Sequence, residues 1–182
     1  MNIRITRRDK RFKAVHFVLC ALDLQKKVSY QSRLLVERDR IVATDKLRLH
    51  RAFIEHNWPV GQYDVLHRTK RFVELRSVEP SYEVIYPDYR QAFPKVFKGH
   101  FLMEPKLFAV NVAYTLAKNG IAVDGHFLKP FEALEKTWKV SFKDAEKPIH
   151  LQGPSHNTSW ACVKRLDGLI MPFEPALVKI NY

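Results

Sequence analysis

The groups in this chain that could serve as nucleophile, base or metal ligand are few and poorly spaced. His50 and His56 lie six residues apart, not at the four-residue interval that puts two imidazoles on one helix face. Asp124-Gly-His126 has no further ligand nearby in sequence. Cys162, His156 and Asp167 can be drawn as nucleophile, base and orienter, but the cysteine falls within an apolar run beside Val163, where a strand is expected. Six glycines leave little room for a phosphate-cradling loop. The expectation is a protein without catalytic residues, bound metal or cofactor.

Charge is more informative. Thirty-one Lys and Arg against nineteen Asp and Glu give +12 over 182 residues, distributed as +9 over residues 1–51, 0 over 52–104 and +3 over 105–182. Such a field attracts polyanions, nucleic acid foremost and an anionic membrane surface as the rival. Arg7, Arg8, Lys10, Arg11, Lys13, Lys26 and Lys27 are the candidate phosphate contacts. With 46% hydrophobic and 27% charged residues the chain is globular rather than disordered. No apolar run is long enough to cross a bilayer and the N-terminus carries charge throughout, so a cytoplasmic protein without membrane partners is expected. Cys20 and Cys162 read as buried thiols.

The elements that must position these residues follow from periodicity. Phe12, Val15, Val18, Leu19 and Leu22 recur at helical spacing and predict a helix over about 10–25. From there the period becomes two. Residues 28–31, 33–36, 41–44, 47–49 and 52–54 read as an antiparallel meander, and 63–66 with 72–75 as a hairpin around a basic turn. Residues 79–104, punctuated by Pro80, Pro87 and Pro94, form an ordered connection. Pro105 opens a second helix that stops at Asn119-Gly120, and Asp124 caps a third. Residues 138–142 and 149–151 are strands, and 160–163 pairs with 169–171 across an Asp167-Gly168 turn. The class is α+β, with one unit made of half-repeats at 10–78 and 105–173 and a tail at 174–182.

Three segments carry a resemblance. Ile41-Val-Ala-Thr44-Asp45-Lys46-Leu47-Arg48-Leu49 resembles the Ala-Thr-Asp-Gly-His-Arg-Leu segment of bacterial DNA sliding clamps, the β subunit of DNA polymerase III. Tyr86-Pro87-Asp88-Tyr89-Arg90-Gln91-Ala92-Phe93-Pro94 is similar to the Phe-Pro-Asp-Tyr-Arg-Arg-Val connection between two clamp domains, and Leu169-Ile-Met171-Pro172-Phe173 to the closing Val-Met-Pro-Met-Arg-Leu. In that family the three segments line a hydrophobic groove for short linear motifs of polymerases, loaders and repair proteins. The resemblance therefore implies one groove wall from Thr44, Lys46, Leu47, Arg48 and Leu49, another from Pro87, Arg90, Gln91 and Ala92, and a third from Met171, Pro172 and Phe173. Read without the resemblance, the same residues are a turn, strand terminators and a core plug.

The departures are specific. Lys46-Leu47 stands where the family has Gly-His, and the chain has material for about half of a three-domain clamp protomer. The resemblance and its departures together imply a shortened, divergent clamp-related accessory protein of replication or repair, of the kind a phage or mobile element would encode. It would bind double-stranded DNA electrostatically, take partner peptides in a groove and need several copies to close a ring. The alternative is a stand-alone nucleic-acid-binding protein in which Tyr30, Tyr63 and Phe72 stack bases.

Overall fold

The structure, a computed structural model, describes residues 1–26, 29–79, 84–134, 136–153 and 162–172. Its strands are β1 (Asn2–Thr6), β2 (Arg33–Val36), β3 (Arg40–Thr44), β4 (Arg48–Ile54), β5 (Gly61–Arg68), β6 (Phe72–Ser77), β7 (Gly99–Met103), β8 (Trp138–Phe142), β9 (Ile149–Gln152) and β10 (Val163–Ile170). The helices are α1 (Phe12–Leu19), α2 (Phe108–Ala117) and α3 (Gly125–Glu132). The strands form one antiparallel sheet in the order β1-β6-β5-β2-β3-β4-β10-β9-β8-β7, so the two halves of the chain meet at the β4–β10 pair. This is the α+β arrangement expected, with helices packed on the sheet.

Alternation along the strands sorts residues to the two faces. Ile41, Ala43, His50, Ala52 and Ile170 face the helices, where Phe17, Phe131 and Trp138 pack edge to face with centroids 5.1 Å and 4.9 Å apart. Val42, Leu49 and Leu169 face the other way, under a smaller core closed by Tyr86, Tyr89 and Phe93 of the connection. That connection also contains a 3-10 turn at Tyr89–Ala92 and supplies β7, a strand the proline pattern concealed.

Local chemistry sets several boundaries. Asp124 accepts from the His126 amide at 2.8 Å and caps α3. Gly120, at φ 73°, ends the turn after α2 while the Ile121 amide closes back onto the Leu116 carbonyl at 3.0 Å. The first helix is shorter than its apolar period suggests. Arg68 donates to the carbonyls of Leu19 (3.0 Å) and His16 (3.3 Å), satisfying the helix end there, and Leu22 enters the core from the following turn.

Three other expectations change. The basic N-terminus conceals β1, whose Ile3 and Ile5 are buried while Asn2, Arg4 and Thr6 face out. Tyr30–Ser32 is a 3-10 turn rather than strand, because Ser29 accepts from the Gln31 amide. Asp167-Gly168 is not a turn. It lies inside β10, which runs unbroken from Val163 to Ile170. A Cβ on Gly168 would sit 2.3 Å from Cζ of Phe131, so this glycine lets a ring rest on the strand backbone.

Candidate peptide groove and basic face

The link between β3 and β4 is built by its own side chains. Asp45 accepts from the amides of Leu47 (3.0 Å) and Arg48 (2.9 Å) and from Arg48 Nε (2.8 Å). Thr44 Oγ1 donates to the Arg48 carbonyl at 2.8 Å and accepts from the Lys46 amide at 3.2 Å. The turn forces Lys46 to φ 81°, a left-handed conformation natural to the glycine of the clamp motif. Leu47 is left 55% exposed at the rim.

The connection is fastened across this corner. Tyr89 and Arg90 both donate to the Glu37 carboxylate, and the Tyr86 hydroxyl reaches the Val42 carbonyl at 3.4 Å. Burial, together with the contact to Glu37, pushes the Tyr89 hydroxyl up to about 12, so it stays a neutral donor. On the other side the Met171 amide donates to the Leu47 carbonyl at 2.8 Å, continuing the β4–β10 ladder into the rim.

Thr44, Lys46, Leu47, Arg48, Leu49, Ala92, Pro148, Leu169 and Met171 surround one depression of about 60 Å³. Ala92 and Pro148 are shared with a wider basin of about 450 Å³, lined also by Gln91, Phe93, Pro94, Lys95, Val96, Lys143 and Lys147. All three segments singled out in the sequence thus meet, the middle one through Ala92. Pro87 and Arg90 do not line the depression. Pro87 is exposed and Arg90 is turned to Glu37. Gln91 lies one step away in the basin, Pro172 is half-buried beyond Met171, and Phe173 lies outside the described residues. Asp45 and Leu169 belong to the quoted segments but not to the expected walls, and Pro148 belongs to none of the three. Asp45 alone left a local signal, as the side chain of a polar turn.

The basic residues gather at the link between β1 and α1. Arg7, Arg8, Lys10 and Lys13 line a depression of about 220 Å³ with Asp9 and Phe12. Arg11 is engaged with Asp9 through Nε (2.9 Å) and Nη2 (2.7 Å), and its guanidinium holds that carboxyl below its ordinary range. The Arg7 amide donates to the Arg71 carbonyl at 2.8 Å, which places the β5–β6 turn, with its exposed Lys70 and Arg71, beside this link. Lys26 is exposed beyond α1, and Lys27 is outside the described residues. Of the aromatics considered for base stacking, Tyr63 is buried with its hydroxyl on the Pro59 carbonyl, Tyr30 packs on Tyr86, and Phe72 lies under Arg4.

The groups first considered for catalysis are dispersed. His50 is a core residue stacked on Phe17, His56 packs on Trp58, and Asp167 is paired with Arg51. Cys162 is half-buried, as is Cys20, and His156 lies outside the described residues. Among the described residues no group of three or more His, Cys, Asp or Glu is placed to hold a metal ion, and no helix is long and apolar enough to cross a membrane.

No protein-family model and no curated protein matches the sequence. Solved structures do match. A DNA polymerase sliding clamp from Pseudomonas aeruginosa with a ligand superposes with TM-score 0.63 at 14% identity, covering 96% of this chain and 66% of that one. The Helicobacter pylori beta clamp in complex with carprofen gives 0.61 at 10% identity, with 96% and 67% covered, and the Bacillus subtilis sliding clamp 0.57 at 14%, with 96% and 64%. The fold is clamp-like. At 9–14% identity across the solved clamps the relationship is distant, and this chain spans about two thirds of their length. The clamp-like sheet is continuous across the corner where the three segments meet.

Proposed function

We propose that this protein is a non-catalytic, clamp-related accessory factor of DNA replication or repair, a single unit of two half-repeats. It recruits partner proteins through short apolar motifs docked at the Thr44–Met171 depression and holds double-stranded DNA electrostatically. The observation that carries this reading is the convergence of three segments distant in sequence on one apolar depression in a clamp-like sheet. Burying two or three aliphatic anchors, one in the depression and the others over the adjoining walls at Ala92 and Pro148, contributes roughly 1.5–3 kcal/mol each, and ordering a flexible peptide offsets much of it, so micromolar affinity is expected. A labelled peptide with leucine anchors tests this by fluorescence anisotropy. Met171→Glu should abolish its binding and leave DNA association intact, and a wild-type protein that binds no such peptide would remove the groove from the reading.

The cluster of Arg7, Arg8, Lys10, Lys70 and Arg71 favours a duplex-binding face, since phosphate contacts position a protein without reading sequence. Reversing charge at Arg7, Arg8 and Lys10 should weaken duplex binding and flatten its dependence on salt. An unchanged salt slope would place DNA elsewhere. Encircling a duplex would need several copies joined through the outer strands β1 and β7, and light scattering with and without DNA reads that directly. Salt-dependent oligonucleotide binding without any peptide binding would instead favour the stand-alone nucleic-acid-binding class.

A further inference from the structure

The apolar depression is too small for a whole recognition segment. At about 60 Å³ it holds part of one side chain, whereas sites that bury a ligand usually offer roughly 300–1,000 Å³. The adjoining basin, at about 450 Å³, falls in that range and shares the Ala92 and Pro148 walls. A segment anchored against Leu49, Leu169 and Met171 must continue over Ala92 into it.

The basin has a distinctive lining. Phe93, Pro94, Val96 and Pro148 give it apolar walls, and Lys95, Lys143 and Lys147 stand exposed around them. None of these three lysines has an ion-pair partner among the described residues. The acidic residues nearest in sequence, Asp144 and Glu146, do not line the basin, and Asp144 is occupied with the Glu146 amide at 3.0 Å. Lys46 adds a fourth exposed ammonium at the rim of the depression. Arg48 beside it is held by Asp45 and lies over Phe127.

We propose that the partner segment is acidic: an aliphatic anchor seated at Leu49, Leu169 and Met171, followed by aspartate or glutamate side chains that meet Lys95, Lys143 and Lys147 in the basin. This rests on the groove reading and adds the chemistry of the partner. A nucleic-acid strand suits the basin less well, because the cluster at Arg7, Arg8 and Lys10 belongs to the link between β1 and α1, in the other half of the sheet. Charges at such a rim steer and select more than they strengthen binding.

The test uses the full chain and two labelled peptides with identical leucine anchors, one flanked by glutamates and the other by glutamines. In low salt the glutamate peptide should bind about tenfold more tightly, equivalent to about 1.4 kcal/mol. Combining Lys95→Gln, Lys143→Gln and Lys147→Gln, all at exposed positions, should erase that preference, so that the two peptides bind the variant alike. Equal binding of both peptides, still sensitive to Met171→Glu, would overturn the acidic partner while the groove survives. Binding of neither would overturn both. Lysine-dependent displacement of the glutamate peptide by oligothymidylate at equal concentration would assign the basin to nucleic acid and also overturn the proposal.

Discussion

Nε of Arg51 donates to Oδ2 of Asp167 at 2.7 Å, between residues directly opposed on β4 and β10, the pair that joins the two halves of the sheet. Asp167 is fully buried, accepts also from Arg165 Nε at 3.1 Å and faces His150 Nε2 at 3.7 Å. Asp167→Ala would leave the largely buried Arg51 unpaired, so a loss of roughly 3–5 kcal/mol is expected in urea unfolding. A loss under about 1 kcal/mol would mean that the ion pair does not hold this joint.

His50 should make stability fall on mild acidification. Burial pushes its imidazole down to about 3, while Nδ1 donates to the Phe17 carbonyl at 2.8 Å. The unfolded chain takes up this proton near pH 6.5, so it binds more protons than the folded protein below that value. The stabilisation is complete above about 6.5 and declines by roughly 1.4 kcal/mol per pH unit for each such histidine. His16 and His56, lowered chiefly by burial, act with the same sign. At Asp167 burial raises the carboxyl pKa, but His150, Arg51 and Arg165 outweigh it and hold it below its ordinary range. Its contribution is therefore present above about pH 4 and lost in stronger acid. His50→Phe should flatten the melting temperature between pH 6.5 and 5; an unaltered slope would show that His50 is already protonated in the folded state.

Gly168→Ala should destabilise by roughly 1–3 kcal/mol or more, because the added methyl would meet Phe131 at 2.3 Å and 2.6 Å. Pairing it with Phe131→Leu should recover part of the loss. Additive losses in that double mutant would argue against the ring contact as the cause.

Lys46→Gly should stabilise by about 1 kcal/mol, since the φ of 81° carries no steric penalty for glycine. It also removes one of the four ammonium groups around the site, so association of the glutamate peptide should slow while that of the glutamine peptide does not. A destabilised variant would mean that the lysine stem contributes packing that outweighs the strain.

Features set by neighbours in sequence were legible. Asp124 as a cap and Asn119-Gly120 as a helix stop needed only their own residues. Asp167-Gly168 shows the opposite case. The dipeptide has turn chemistry, but Arg51 and Phe131, far away in the chain, keep it in a strand. Ile3 and Ile5 alternate over only five residues before the basic run that begins at Arg7, too short a period to stand out from the sequence alone. Motif order in the sequence brought the Thr44–Leu49 segment and Met171 together, and they line one depression in the structure. Pro148, Lys143 and Lys147 lie in the β8–β9 link, which carries no motif and decides their approach to Ala92, and Lys95 lies just past the Tyr86–Pro94 segment.

The depression draws on residues 44–49, 92, 148 and 169–171, taken from both sides of the β4–β10 joint. Neither half of the chain can present it alone. Such a site requires the long-range β4–β10 pairing, a kind of contact that is slow to make. Under the proposed function, a nicked or half-unfolded copy would offer a partner segment nothing to dock against, so docking would itself report an intact fold.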